Sequence, residues 1–562
     1  MKDKIIEFER PASFYYEIAV KMTDNLDFLG ALPMMRKAIE KDPVNLSYQL
    51  ELAEILTELT KYEESNSIIF EIMEQSKDMT ECYFGLGCNF IGLNEYEKAQ
   101  ESFEKYMEIE PDGEFREDIE DFLGFFDEAV EFENYYIEDA ANAELQKKAQ
   151  YGKHLLDVGN YPKAIEVLEK VNYKNPDMLY AKNNLALSYY CIKKIDIAIE
   201  KTQEILRIDK NNIHANCNMA VFLSEQNRMD EAKKYITNAI KQKSDMQDDL
   251  YKIAITLCEL KEHKKALQYL LNVLHDSPYD EKILFYTAVA YYNTGEWNEA
   301  IKYLSDIGKL EATDSICVYY IGYIKKVISG KEKFEEIGYS YQVPQKEIKD
   351  RIQYLNECMK LPSEVLYEKW IEEKKLRDII IWGLEYGDVL IKRAVAEIVG
   401  TFGDKDAEKL LRRYILKRNQ PDEAKNEVFI ILKKMKAKEP YVAYFGGNIV
   451  EVKVGMIDLE SKDFPKDYTE IVELLISTIK KKYADDVVGK AIAILNNYVE
   501  KEKKLKDFGL EKPLYAAAIT CLAVDNDEEN ENIAENYHVN IEHVNQIMVD
   551  IAETIDAEIL QR

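Results

Sequence analysis

The sequence predicts an all-α protein in which pairs of helices stack into a long solenoid. Small residues recur every 34 residues at two positions of a repeating unit, as closely packed helix–turn–helix repeats require. One series comprises Ala186, Ala220, Ala254, Ala288 and Gly322, and the other comprises Ala198, Ala232, Ala266 and Ala300. The 562 residues also include only 22 glycines and 13 prolines, which disfavours an all-β protein with many tight turns.

The composition indicates a folded, acidic protein. Hydrophobic residues make up 46% of the chain and aromatic residues 11%, so the low hydrophobicity of disordered proteins is absent. A formal net charge of -31 repels phosphate backbones and anionic membranes, and nucleic acid and membrane surfaces are therefore not expected as partners.

Cysteine usage and hydropathy predict a cytoplasmic location. The eight cysteines are Cys82, Cys88, Cys191, Cys217, Cys258, Cys317, Cys358 and Cys521. They are scattered, form no Cys-x-x-Cys pair and are expected to be reduced. No run of 18 apolar residues occurs and charges interrupt the first 20 residues, so neither a signal peptide nor a membrane-spanning helix is expected.

Two units display the repeat pattern in detail. The unit at 281–314 carries Ala288, Tyr291, Trp297, Ala300 and Leu304, and the unit at 80–113 carries Tyr83, Leu86, Gly87, Phe90, Tyr96, Ala99, Phe103 and Pro111. These residues resemble the pattern of tetratricopeptide repeats. The resemblance implies a right-handed superhelical solenoid whose concave face is lined by the first helix of each unit.

The repeats are predicted to form two blocks. Block 1, residues 12–113, contains three units, and block 2, residues 145–328, contains five units and a lone helix. Residues 114–144 have helical periodicity but lack the two small residues, which indicates a degenerate or inserted helical segment. Residues 329–345 have no helical period and are predicted to be a linker.

Three further regions follow the linker. Residues 346–438 resemble HEAT repeats through Asp388, Arg393, Ala394, Ala396 and Gly400. Residues 439–462 predict a small β-hairpin, because two alternating segments flank Gly446, Gly447 and Asn448. Residues 466–562 predict a C-terminal helical bundle, in which the alanine-rich run from Pro513 to Ala523 and the segment at 533–548 are similar to a cyclin-box fold or a helix-turn-helix module.

No residue pattern in the chain indicates catalysis. The sequence has no phosphate-binding loop ending in Gly-Lys-Ser/Thr, no His-Glu-x-x-His, no Gly-x-Ser-x-Gly and no zinc-spaced cysteines. His538 and His543 are five residues apart, which would place them on different helical faces. The chain is therefore predicted to be no enzyme, with no catalytic residue, metal site or cofactor.

The candidate binding residues lie on the first helices of block 2. The resemblance points Asn184 and Asn218 into the groove at a spacing of 34 residues, where an amide can hydrogen-bond a peptide backbone. The full predicted set is Asn183, Asn184, Asn218, Tyr251, Lys252, Phe285, Tyr286, Tyr292, Tyr319 and Tyr323. The alternatives are that the asparagines hold neighbouring loops or are merely exposed, and that the aromatic residues pack between units.

The predicted function is that of a protein–protein interaction scaffold or adaptor, which binds a partner peptide or helix in the groove of block 2. The alternative is a transcription-associated regulator that acts through residues 466–562. Between Lys512 and Arg562 the sequence has 11 acidic residues and no lysine or arginine, so such a regulator would act by protein contacts rather than by direct DNA binding. The basic run at 412–418 is expected to pair with acidic helices of the same chain.

Overall fold

The computed structural model describes most of the chain. The described residues are 10–76, 79–124, 140–311, 315–445, 448–454, 467–479, 482–483, 485–502, 508–524, 526 and 529–555. Gly446 and Gly447 of the predicted hairpin turn, and the middle of the predicted inserted segment at 125–139, lie outside them. The chain divides into two compact units, Met1–Val452 and Lys453–Arg562.

Block 1 consists of three antiparallel helix pairs. Its helices are α1 (Ala12–Thr23), α2 (Phe28–Lys41), α3 (Leu46–Glu58), α4 (Tyr62–Gln75), α5 (Glu81–Gly92) and α6 (Tyr96–Ile109), and the helical residues 116–124 follow as α7. Gly87 has no room for a side chain, because a Cβ at this position would overlap the ring of Phe103 on α6. The first helix of the unit can therefore approach the second only with a small residue at this crossing.

Block 2 repeats the same construction five times and then adds one helix. Its helices are α8 (Ala140–Asp157), α9 (Tyr161–Lys174), α10 (Leu179–Cys191), α11 (Ile195–Ile208), α12 (Ile213–Glu225), α13 (Met229–Lys241), α14 (Gln247–Glu259), α15 (His263–Asp276), α16 (Glu281–Thr294), α17 (Trp297–Leu310) and α18 (Ser315–Ile328). The alanines of both 34-residue series are at most 1% exposed. Gly322 on α18 is exposed instead, because no second helix follows to cover it.

A third set of helices ends in the β-hairpin. The helices are α19 (Gln345–Cys358), α20 (Ser363–Glu372), α21 (Lys374–Tyr386), α22 (Val389–Phe402), α23 (Lys405–Leu416) and α24 (Asp422–Lys434). The hairpin pairs β1 (Tyr441–Phe445) with β2 (Asn448–Val452) in antiparallel register. It packs on α23 and α24, and the buried Lys425 donates a hydrogen bond to the carbonyl oxygen of Tyr444 at 2.5 Å.

The solenoid of the first unit closes on itself, because block 1 packs against the end of block 2. Helix α2 contacts α17, where the guanidinium of Arg36 donates to the carbonyl oxygens of Lys309 and Leu310 at 3.1 and 2.9 Å. These carbonyls end α17, and a cation there also interacts favourably with the helix dipole. Lys61 and Glu281 form a salt bridge across the same junction.

The basic run at 412–418 forms the second part of this closure. Arg413 pairs with Glu64 of α4 at 2.8 Å, and Arg418 pairs with Glu95 at 2.6 Å. Lys417 pairs with Glu385 within the third set of helices at 2.5 Å. The expectation that these cations pair with acidic helices of the same chain is thus confirmed.

The junction encloses a charged cavity of about 240 Å³. Its lining combines acidic and basic side chains from block 1, from block 2 and from α21 and α23. The charges of Arg413, Lys417, Arg36 and Lys61 overcome the effect of burial and lower the pKa of Glu311 to about 2. Opposite charges that neutralise one another let these groups lie at a helix junction.

The second unit is a small helical bundle. It contains α25 (Tyr468–Ile479), α26 (Asp485–Lys501), a short 3-10 helix (Gly509–Glu511), α27 (Lys512–Val524), α28 (Asn530–Asn536) and α29 (Ile541–Thr554). Helix α27 contacts α25, α26, α28 and α29, and its alanines from Ala516 to Ala518 are fully buried. The alanine-rich run therefore lets four helices pack closely around one.

The predicted fold class is confirmed. Helices dominate the described part of the chain, and its strands are the two of the hairpin. No helix within the described ranges combines the length and the apolarity that crossing a membrane requires.

Ala254 tests the close helix crossing in block 2. Ala254→Arg should lower the free energy of unfolding by about 1 to 3 kcal/mol from overpacking, and further because the buried guanidinium lacks a partner. Urea denaturation followed by circular dichroism measures the change. The matched control is Val318→Arg at an apolar residue that is 63% exposed. Equal stability of the two variants would contradict the packing described for α14.

The salt bridge between Lys61 and Glu281 tests the closure of the solenoid. Lys61→Glu should destabilise the first unit by roughly 1 to 3 kcal/mol, because two carboxylates would meet at a partly buried junction. The double variant with Glu281→Lys should recover most of this loss. Hydrogen exchange of α2 and α17 reports the opening, and Lys170→Glu in an exposed pair serves as control. Absence of recovery in the double variant would argue against a direct pair.

Candidate peptide-binding groove

The inner face of block 2 is formed by its first helices, α10, α12, α14, α16 and α18. These helices carry all ten residues of the predicted set. Asn183 and Asn184 lie on α10 and Asn218 on α12. Tyr251 and Lys252 lie on α14, and the five remaining aromatic residues lie on α16 and α18.

The asparagines are more buried than residues of an open groove would be. Asn183 and Asn184 are 7% and 8% exposed, and Asn218 is fully buried. Asn218 Nδ2 donates to Asn183 Oδ1 at 3.3 Å, and Asn183 Nδ2 donates to Asn212 Oδ1 at the same distance. Part of this cluster therefore joins neighbouring units, which is one of the alternatives that the sequence leaves open.

Two atoms of the asparagine cluster have no hydrogen-bond partner within the described chain. They are Asn218 Oδ1, an acceptor, and Asn184 Nδ2, a donor whose polar neighbour is the hydroxyl of Tyr180, outside good hydrogen-bond geometry. An unsatisfied buried polar group costs about 1 to 3 kcal/mol, and most such groups in folded proteins are satisfied. A donor and an acceptor left over on adjacent repeats are the two groups that one peptide unit could satisfy.

Two lysines add positive charge to this inner face. Lys282 lies over the rings of Tyr251 and Tyr286, at 6.0 and 5.8 Å from their centroids. Burial lowers the pKa of Lys252, and the charge of Lys282 acts in the same direction. Among the described residues neither lysine forms a salt bridge, and both interact through their charges with Glu259 on α14. One carboxylate therefore already balances part of this positive charge.

Residues 331–344, here called the groove segment, lie on the same face over α14, α16 and α18. The sequence predicts a linker here, and the structure adds contacts that a linker does not require. The groove segment contains neither helix nor strand. Its backbone is held by groove side chains: Tyr320 donates to the carbonyl oxygen of Gln342 at 2.9 Å and Tyr323 to that of Lys333 at 3.2 Å.

Asn293 holds one peptide position of the groove segment from both sides. Its Nδ2 donates to the carbonyl oxygen of Ile337 at 2.8 Å, and its Oδ1 accepts from the backbone N–H of Ile337 at 3.0 Å. Neither bond depends on the identity of the bound side chain. This is the backbone recognition that the sequence predicts for Asn184 and Asn218, performed by another asparagine of the same groove.

Side chains of the groove segment fill complementary positions on α16 and beside α15. Phe334 stacks on Tyr292 with ring centroids 5.2 Å apart. Glu336 contacts Lys261 Nζ at 2.8 Å and His263 Nε2 at 2.5 Å. Hydrogen bonds from these two groups lower the pKa of Glu336. The carboxylate therefore stays ionised and paired through the neutral pH range.

Two tyrosines complete the contact. The hydroxyl of Tyr339 and Nδ1 of His263 are hydrogen-bonded at 2.8 Å, and the ring of Tyr339 lies edge-on to Tyr286 at 5.7 Å. Tyr341 packs on Phe285 with centroids 4.8 Å apart. The predicted aromatic residues of α16 thus contact an extended segment, while Phe285, Tyr286 and Tyr292 are also buried.

Sequence reasoning missed several residues of this face. They are Lys261, His263 and Asn293, and they become recognisable only when the groove segment is in place. Asn293 directly follows Tyr292, which belongs to the predicted set, and this adjacency is a weak indication that Asn293 belongs to the site. Its partner lies 44 residues later in the chain, and no pattern in the sequence indicates that contact.

Block 1 has an inner face of opposite character. Glu51 and Glu54 lie on α3, and Glu81 lies on α5. The side chain of Glu54 is exposed at the surface, and partial loss of hydration, together with the charges of Glu51 and Glu81, raises its pKa to about 7. The two blocks therefore present different charges to a ligand, acidic in block 1 and partly basic in block 2.

Comparison with known proteins identifies the repeats. A sequence model of the tetratricopeptide repeat matches residues 80–112 and 213–246, and a second model of the same repeat matches residues 283–311. The chain contains tetratricopeptide repeats. The matched regions lie in both blocks, as the 34-residue series predicts. The HEAT-like and cyclin-box-like resemblances stay predictions.

A bacterial relative shares these repeats. The TPR repeat-containing protein YvcD of Bacillus subtilis (strain 168) is 27% identical over 261 residues, which cover 45% of this chain and 52% of the relative. The chain thus spans about half the length of this curated relative.

Solved structures with tetratricopeptide repeats resemble the chain at low identity. YrrB, described as a TPR protein with an unusual peptide-binding site, is 19% identical, with a TM-score of 0.25, and the match covers 30% of this chain and 87% of YrrB. The TPR domain of P58(IPK) is 15% identical, with a TM-score of 0.24 over 57% of this chain and 99% of that domain. Similarity at this level carries no site residue over to this chain.

The charge of Glu54 predicts a pH-dependent effect in block 1. A carboxyl group whose pKa is higher in the folded than in the unfolded chain destabilises the fold as pH rises from about 4.3 towards 7. Glu54→Gln removes this ionisation, so it should raise the melting temperature clearly at pH 8 and less at pH 5. Thermal denaturation at both pH values measures the effect, with Glu101→Gln on α6 as control. A gain independent of pH would contradict the raised pKa.

Proposed function

We propose that this protein is a non-enzymatic interaction scaffold whose block 2 groove holds an extended segment of a partner protein. Proteins built from tetratricopeptide repeats are interaction scaffolds, and the extended concave surface of a solenoid suits that role. The observation that carries the proposal is the pair of hydrogen bonds between the side chain of Asn293, which donates one and accepts the other, and the backbone of Ile337. Side chains on this face are arranged to hold an extended backbone.

The partner's backbone is assigned to the asparagine cluster on α10 and α12. Asn184 Nδ2 would donate to a peptide carbonyl and Asn218 Oδ1 would accept from a peptide N–H, which satisfies both leftover groups. Small side-chain rotations must open the cluster, since Asn218 is fully buried. Backbone recognition of this kind tolerates many sequences, and Lys252 and Lys282 would favour those with acidic residues.

The transcription-associated alternative has no support from the described contacts of the second unit. Its acidic helices α28 and α29 contribute Ile533, Ala534, Val544 and Ile551 to the bundle core, which is a packing role. The proposal therefore rests on block 2 alone.

The asparagine pair tests the proposal. Peptides that bind the full chain are selected from a displayed random library, and their affinity is measured by fluorescence anisotropy. Asn184→Ala together with Asn218→Ala should weaken binding about 10-fold to 100-fold, because two backbone hydrogen bonds are each worth about 1 kcal/mol or more. The double variant should keep the helical circular dichroism of the native chain.

The matched control removes two exposed amides elsewhere in block 2. Gln203→Ala on α11 together with Asn211→Ala in the loop before α12 should leave the affinity unchanged, since both side chains are exposed and neither belongs to the asparagine cluster. Unchanged affinity in a folded Asn184 and Asn218 double variant would refute the groove assignment.

A further inference from the structure

We propose that the groove over α14, α16 and α18 is a binding site for extended segments that combine glutamate with tyrosine, and that residues 331–339 are its internal occupant. A partner of the same chemistry would displace them. This inference rests on the proposed function, in that it assumes that block 2 binds extended peptides. Beyond the proposed function, the inference specifies the chemistry of the partner and explains why residues 331–339 cover part of the groove.

The chemistry of the partner follows from the contacts of the occupant. Lys261 and His263 recognise a carboxylate, which Glu336 supplies. The ring of Tyr286 and Nδ1 of His263 recognise a phenol two residues after the position held by Asn293, which Tyr339 supplies. An aromatic side chain three residues before that position stacks on Tyr292. Acidic and aromatic side chains at these spacings define the ligand.

The burial and the backbone hydrogen bonds of residues 331–339 resemble those of a bound peptide more than those of a core segment. Within residues 331–344, the buried side chains are those of Ile337 and Val343, and Phe334 is still 49% exposed. The backbone of Lys333 and Ile337 bonds to groove side chains, and the N–H groups of Lys331 and Glu332 donate to the carbonyl oxygen of Lys326 at the end of α18. Few buried contacts would therefore be lost when residues 331–339 leave.

The end of the groove segment is anchored independently. Gln342 donates to the carbonyl oxygen of Tyr386 at 3.0 Å and accepts from Trp382 Nε1 at 2.8 Å, and both partners lie on α21. Residues 340–344 can therefore remain in place while 331–339 detach. The two parts meet at Ser340, which is exposed and can act as the pivot.

Because residues 331–339 are tethered beside the groove, they lower the apparent affinity of a free peptide by a calculable factor. A short tether gives an effective concentration on the order of millimolar. A free peptide with an intrinsic Kd of about 10 µM would then bind the native chain roughly 100-fold more weakly than it binds an emptied groove.

The first experiment empties the groove and supplies the occupant from outside. Residues 331–339 of the full chain are replaced by a Gly-Ser sequence of equal length. The probe is a fluorescein-labelled synthetic peptide, KEKFEEIGY, which corresponds to residues 331–339. Anisotropy should show at least tenfold tighter binding to the emptied chain than to the native chain. Adding Asn293→Ala to the emptied chain should weaken binding at least tenfold.

The matched control peptide carries lysine in place of the glutamate that corresponds to Glu336, and it should bind the emptied chain at least tenfold more weakly. If the probe does not bind a folded emptied chain, or if Asn293→Ala leaves its affinity unchanged, the proposal is overturned and residues 331–339 are a permanent part of the fold.

The second experiment uses the unmodified chain, so it decides the question even if the replacement prevents folding. Hydrogen exchange at the amide of Ile337, which is bonded to Asn293, is measured with and without millimolar isotope-labelled probe. Displacement should accelerate exchange at least tenfold, whereas unchanged exchange overturns the proposal. The outcome is separable from the library experiment, because the probe depends on Asn293 and the library peptides depend on Asn184 and Asn218.

Discussion

The close approach of helices at small residues is the constraint on which the first unit depends. The alanines of both 34-residue series are buried at helix crossings, and Gly87 has no space even for a methyl group. Interiors pack too densely to accept a larger side chain at such crossings. The first helices line one face because each packs closely against the second helix of its own unit. Where the second helix is missing, after α18, Gly322 is exposed and the chain returns along the groove.

The chain has 105 acidic and 74 basic residues, and several of the basic residues lie where acidic helices meet. Arg36, Arg413 and Arg418 are used where block 1 meets the rest of the first unit. Each bonds to a carboxylate or to carbonyl oxygens that end a helix, so acidic helices can pack without repulsion. Lys252 and Lys282 form no salt bridge in the described chain but lie beside Glu259, so this face of block 2 has mixed charge.

The candidate site divides into a part that sequence could indicate and a part that it could not. The period placed Asn184, Asn218 and the aromatic residues of α16 on one face, because a repeat carries each position to the equivalent surface of the next unit. It could not place Asn293 in the site, since the backbone that Asn293 binds belongs to a segment without periodicity. It also gave no sign that Asn218 would be buried, because burial there depends on how tightly adjacent units close.

The sequence by itself determined the helical class, the repeat boundaries and the acidic surface, because small-residue spacing and composition are local properties that each unit repeats. Only the tertiary structure decided that the solenoid closes through Arg36 and Arg413, and that residues 331–344 lie in the groove. Both depend on contacts between residues far apart in the chain, such as Arg36 with Leu310. Such contacts are set by where the stacked repeats bring their ends, and no short stretch of sequence contains that information.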